Sequence, residues 1–157
     1  MQHLEIDKLK EFIDAQGPDT KVYIGCDSFR RKIDGVWYAY YTTVVVVHMN
    51  GRNGCRVFGD IQKERDYDQN KSRPAMRLMN EVYKATATFE QLLPIIGDRE
   101  VELHLDINPR KIYGSSCVVD QAIGYVRGVA GIMPKVKPDG WAATHCADHF
   151  RTHQGRS

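Results

Sequence analysis

Two short apolar segments of this 157-residue chain each run out on an aspartate, Asp27 in IGCDS and Asp106 in HLDIN. Two further acids lie in helical contexts, Glu81 in the segment after Pro74 and Asp148 in AATHCADHF. Taken singly, an aspartate leaving a strand is a turn or helix-capping residue, because its side chain bonds nearby backbone amides. Adjacent, parallel strands would allow another chemistry. Both carboxylates would then project into one mouth at the carboxyl ends of the strands, where open α/β sheets bind ligands. Anions held together need a cation, or one of them takes up a proton. Hard carboxylate oxygens select Mg²⁺ or Mn²⁺.

Helical geometry bears on the other two acids. Glu81 falls roughly 110° from the centre of its segment's apolar stripe, given about 100° per residue. That is the margin of the buried face, from which a carboxylate reaches a crevice without entering the core; a solvated Glu fits the same angle. Glu90, roughly 70° from that centre, is the rival. Asp148 is flanked by Ala142, Ala143 and Ala147, which permit close packing; a surface acid paired with a base is the plainer reading.

Other constellations also admit simpler roles. His145, His149 and His153 share a helical face and could hold zinc or shuttle protons beside the acids, but surface histidines are commoner. The four cysteines show no CxxC spacing and read as free thiols or small core residues. The loop INPRKIYGSS brings Asn108, Arg110, Lys111, Ser115 and Ser116 directly after Asp106. Its amide, hydroxyl and cationic donors suit a phosphate backbone, while Ser116 also suits a helix cap. Arg30, Arg31 and Lys32 could extend that basic surface or simply solvate a hairpin loop. Neither a glycine-rich nucleotide fingerprint nor a base-stacking motif is evident.

These residues must be positioned by elements that the sequence also indicates. Leu4–Ala15 has a helical stripe, closed by Gly17-Pro18. Lys21–Cys26 reads as a strand delivering Asp27, and Phe29–Gly35 as a polar turn. Val36–His48 is the strongest strand signal, followed by a turn at residues 50–54 and a partner strand Cys55–Ile61. Gln62–Arg73 reads as a charged loop. Ala75–Leu93 is a helix stopped by Pro94 and Gly97, and Val101–Leu105 a strand delivering Asp106. A helix over Cys117–Ala130, a short strand at Lys135–Lys137 and a helix over Trp141–Phe150 complete the order. A meander followed by alternating helix and strand makes a mixed sheet with helices on its faces.

Lys plus Arg is 22 against 20 for Asp plus Glu, a net charge of +2, which excludes a strongly basic tail or an acidic solvating protein. A hydrophobic content of 42% supports a packed core. The apolar run Thr42–Val47 is too short for a bilayer, and the charged segment Met1–Lys10 lacks a signal-peptide apolar region. The expectation is a cytoplasmic protein with no membrane partner.

The order of elements and acids resembles the ribonuclease-H-like superfamily. Val82, Tyr83, Ala85, Phe89 and Leu92 follow Glu81 with that superfamily's apolar spacing. The blocks VYIGCDS, ELHLDINP, AIGYVRG, KVKP and AATHCADHF, with Lys111 and Ser115-Ser116, resemble the YkuK-like family of bacterial and phage proteins, whose chemistry is itself inferred. The resemblance implies an α/β fold with a mixed five-stranded sheet flanked by helices. It implies a single domain over residues 1–157 with its core at about 20–150. It makes Asp27, Glu81, Asp106 and Asp148 catalytic and metal-binding, around two Mg²⁺ or Mn²⁺ ions about 4 Å apart. Asp27 would bridge both ions, Glu81 and Asp106 hold one, and Asp148 the other. Asn108, Lys111, Ser115 and Ser116 are the expected substrate contacts. The implied activity is a divalent-metal-dependent nuclease acting on RNA, DNA or a hybrid. A non-catalytic module binding nucleic acid or a protein partner is the alternative, and hydrolysis of a small nucleotide a third. Oligomeric state is not indicated.

Overall fold

Four consecutive valines, Val44–Val47, form the middle of the sheet. β-Branched side chains favour the extended backbone, and all four are fully buried, so this strand is covered on both faces. The computed structural model describes residues 4–49, 54–67, 75–107, 118–136 and 140. In chain order the elements are α1 (Ile6–Asp14), β1 (Lys21–Ile33), β2 (Val36–His48), β3 (Cys55–Arg65), α2 (Ala75–Ile96), β4 (Glu100–Leu105) and α3 (Val119–Ala130). The sheet order is β3-β2-β1-β4. β1–β2 and β2–β3 are antiparallel, and β1–β4 is parallel. The parallel pair requires a crossover, which the meander and α2 supply.

The architecture is the expected α/β one, with four strands rather than five among the described residues. The segment at Lys135 contributes a single parallel bridge to His104. There the Lys135 amide donates to the Leu103 carbonyl and the Leu105 amide to the Lys135 carbonyl, both at 2.8 Å. Both backbone groups of Lys135 point at β4, so the missing amide hydrogen of Pro134 falls on the side away from it, where an edge segment tolerates proline.

Three boundaries differ from the sequence reading. β1 does not stop at Cys26 but continues to Ile33, so Arg30, Arg31 and Lys32 lie on a strand rather than in a loop. The turn is Asp34-Gly35, with φ of 50° and 82°. Two consecutive positive φ values give the tight turn whose twist matches a hairpin. β3 likewise runs on through Gln62–Arg65. Pro94 does not end α2: it sits in the last turn, and Ile96 beyond it is fully buried. The helix stops at Gly97 (φ 62°), whose amide donates to the Leu93 carbonyl at 3.2 Å.

The main core lies between one sheet face and the helices. Val22, Ile24 and Cys26 of β1 pack with Val82, Ala85 and Phe89 of α2 and with Leu9 and Ile13 of α1. Tyr83 and Tyr125 meet edge-on at 4.8 Å, α2 against α3. Among the described residues no helix is long and apolar enough to cross a membrane. The expected loop 108–116 and helix 141–150 fall outside the described residues.

Candidate metal centre

β4 ends at Leu105, which pairs with Cys26. Asp106 therefore leaves β4 beside Asp27, at the point where β1 parts from its parallel neighbour. Asp27 is thus within its strand, and it is the parallel pairing that ends there. α2 packs across β1 and β4, and Glu81 comes from its second turn. One carboxylate oxygen from each of Asp27, Glu81 and Asp106 lies within 4.8 Å of the other two. Glu81 is 4% exposed, whereas Asp27 and Asp106 are half-buried and Glu90 is exposed.

Placing three carboxylates so closely is costly in electrostatic terms, and two neighbours offset part of the cost. The Ser28 hydroxyl donates to Glu81 Oε2 at 2.8 Å. Arg77, one helical turn before Glu81, donates through Nη1 to Ser28 Oγ at 3.0 Å. Burial pushes the Glu81 carboxyl well above the usual range, and Asp27 and Asp106 push it further; the Ser28 hydrogen bond and Arg77 oppose them. In the metal-free protein Glu81 is thereby biased towards its protonated form. A hard, all-oxygen donor set with one buried member fits a divalent cation such as Mg²⁺ or Mn²⁺.

Cys26 faces the same region but is no nucleophile. Burial, reinforced by Glu81, pushes its thiol well above the ordinary value, which keeps it protonated. Cys55 is a free exposed thiol. His104 is fully buried in β4, with Nε2 3.0 Å from Glu102 Oε1, and burial lowers its pKa despite that partner.

The structure thus brings together three of the four expected acids. Asp148, Asn108, Lys111, Ser115 and Ser116 lie outside the described residues, as do Cys117, Cys146 and the three C-terminal histidines. Sequence reasoning missed Ser28 and Arg77. Signals for both were available: Ser28 adjoins Asp27, and Arg77 precedes Glu81 by four residues, one helical turn.

No curated protein and no solved structure matches the chain. The family model described as Ribonuclease H-like matches residues 5–152. With nearly the whole chain matched, and with a mixed sheet whose parallel strand pair gathers the acids, this protein belongs to the ribonuclease H-like family.

Proposed function

We propose that the chain is a divalent-metal-dependent nuclease hydrolysing a phosphodiester bond in nucleic acid. The observation that carries this reading is the convergence of Asp27, Glu81 and Asp106 within 4.8 Å in a ribonuclease H-like chain. Bound Mg²⁺ or Mn²⁺ supplies Lewis-acid polarisation of a phosphoryl oxygen and a more acidic water. The protein's own groups have distinct tasks. Asp27 and Asp106 would hold the cation from the point where the paired strands β1 and β4 part. Deprotonated Glu81 would be the third ligand, and Ser28, braced by Arg77, holds its Oε2 in place. Asp148 would complete the ligand set for a second ion. Asn108, Lys111, Ser115 and Ser116 would grip the substrate's phosphates. The family match over residues 5–152 supports a single ribonuclease H-like domain.

Thermal melts of wild type and Asp27→Asn test the reading, first in EDTA and then with Mg²⁺ or Mn²⁺. Asn preserves the size and one oxygen while removing the charge. A cation present at a hundredfold excess over its Kd stabilises the wild type by about 2.7 kcal/mol. Asp27→Asn should lose most of that gain and all metal-dependent cleavage of a labelled oligonucleotide. Equal metal-induced shifts in the two proteins would remove the metal centre. A wild-type shift without cleavage of single-stranded, hybrid or duplex substrate would leave a non-catalytic binding module.

A further inference from the structure

Beyond Cys26, β1 has no β4 partner, and β1, β2 and β3 continue as a three-stranded ribbon. Side chains alternate between the faces of a strand, so the register sorts the ribbon's residues. The row Asp27–Thr42–Ile61 is followed on the same face by Phe29–Tyr40–Lys63 and then Arg31–Tyr38–Arg65. The opposite face carries Ser28–Tyr41–Gln62 and Arg30–Ala39–Glu64. The acids segregate accordingly. Glu64 is paired with Lys84 of α2, and Asp66 with Arg30, on the helix side. The two rows beyond Asp27 hold three cations, three aromatic rings and no acid; Asp34 lies in the turn past them.

The aromatic groups are arranged as a platform. Phe29 and Tyr40 stack with centroids 4.9 Å apart and planes inclined by 5°. The Arg31 guanidinium lies 5.7 Å from the Phe29 centroid and 5.8 Å from that of Tyr40. Lys63 Nζ sits 4.4 Å over Tyr38. The rings are half-buried, whereas Arg31, Lys63 and Arg65 are exposed. Phe29 is two residues from Asp27 on the same face, about 7 Å along the strand.

We propose that this ribbon face binds a single, unpaired nucleic-acid strand and leads it along β1 to the acidic cluster. Positive charge with no intervening acid matches a phosphate backbone, and flat rings match base faces, which every base offers. In a duplex those faces are already stacked inside, so the platform selects unpaired segments. This inference rests on the proposed nuclease reading only for the fate of the strand; binding itself needs no metal.

The test is fluorescence anisotropy with labelled oligothymidylate, oligouridylate and a duplex of equal length, all in EDTA. Phe29→Ala should weaken single-strand binding by about 5- to 150-fold, the range for loss of one stacked base. Arg31→Gln should lower the slope of log K against log salt by about 0.7, one phosphate contact on a single strand. Arg56→Gln, which removes an exposed cation over Phe12 and Phe58 at the other end of β3, should change neither quantity. Should Phe29→Ala fold poorly, the exposed Arg31 variant decides alone. The inference is overturned by a duplex bound as tightly as the single strand, by an equal loss in Arg56→Gln, or by loss of thermal stability alone in the ribbon variants. A wild type that shows the metal-induced melting shift but binds no oligonucleotide overturns the platform and leaves the metal centre. Oligonucleotide binding without a metal shift does the reverse.

Discussion

Glu81→Gln isolates the electrostatics of the acidic cluster from its chemistry. Gln keeps the side chain's length and an oxygen to accept from Ser28, but it cannot ionise. Two unit charges at the 4.8 Å limit of the cluster repel by about 3.5 kcal/mol at an effective dielectric of about 20. With two such neighbours and little solvent, protonation is the cheaper state for Glu81 in the absence of metal. In the unfolded chain its pKa reverts to the ordinary 4.5. Between that value and the raised folded pKa, the native state holds a proton that the unfolded state has released. Wild-type stability therefore falls as pH rises through this window, by up to about 1.4 kcal/mol per pH unit. The variant lacks that loss. Melting temperature moves by about 2–4 °C per kcal/mol in a domain of this size. The advantage of Glu81→Gln in EDTA should then widen by up to about 3–6 °C per pH unit across the window, and level off above it. Circular-dichroism melts from acidic to mildly alkaline pH read this directly. Saturating Mg²⁺ or Mn²⁺ should reverse the order, since only the wild type presents the third charged ligand. A stability difference that does not vary with pH would refute the reasoning.

Three further outcomes follow from packing. A Cβ on Gly140 would lie 2.6 Å from the Lys135 carbonyl oxygen, which accepts from Leu105, the residue before Asp106; Gly140→Ala should cost about 1–3 kcal/mol in urea unfolding and weaken the metal-induced shift. Arg30→Ala strips its guanidinium partner from Asp66, whose side chain is 3% exposed, and should lower the urea midpoint by the equivalent of about 3 kcal/mol with the m-value unchanged. Phe89→Ala, at a site 2% exposed in the main core, should cost about 3–5 kcal/mol in the same assay.

The elements whose pattern comes from burial were legible in the sequence. Val36–His48 is β-branched and aromatic because it crosses the middle of the sheet, and its bounds agree with β2. The stripe of α2 faces the core, so the helix and its Glu81 were found even though Pro94 misplaced its end. Asp27 and Asp106 were paired by an inference about parallel strands, which the β1–β4 register bears out. The distal half of β1 was not legible, because Arg30–Ile33 is held by cross-strand pairing with β2 rather than by burial. Its polar run therefore looks like a loop. The Asp34-Gly35 hairpin signal was there to correct it. The stacking platform was missed for a related reason. Phe29 and Tyr40 are eleven positions apart in the chain and become neighbours only through register. Register also decides that, beyond Asp27, Glu64 falls on the helix side and the exposed cations Arg31, Lys63 and Arg65 on the other, a segregation that a net charge of +2 conceals. The sequence alone determined which groups could act: carboxylates able to bind a hard cation and bases able to meet phosphate. Only the tertiary structure decided that Glu81 is buried against two other acids and braced by Ser28 and Arg77, because burial and long-range distance are properties of packing, not of spacing along the chain.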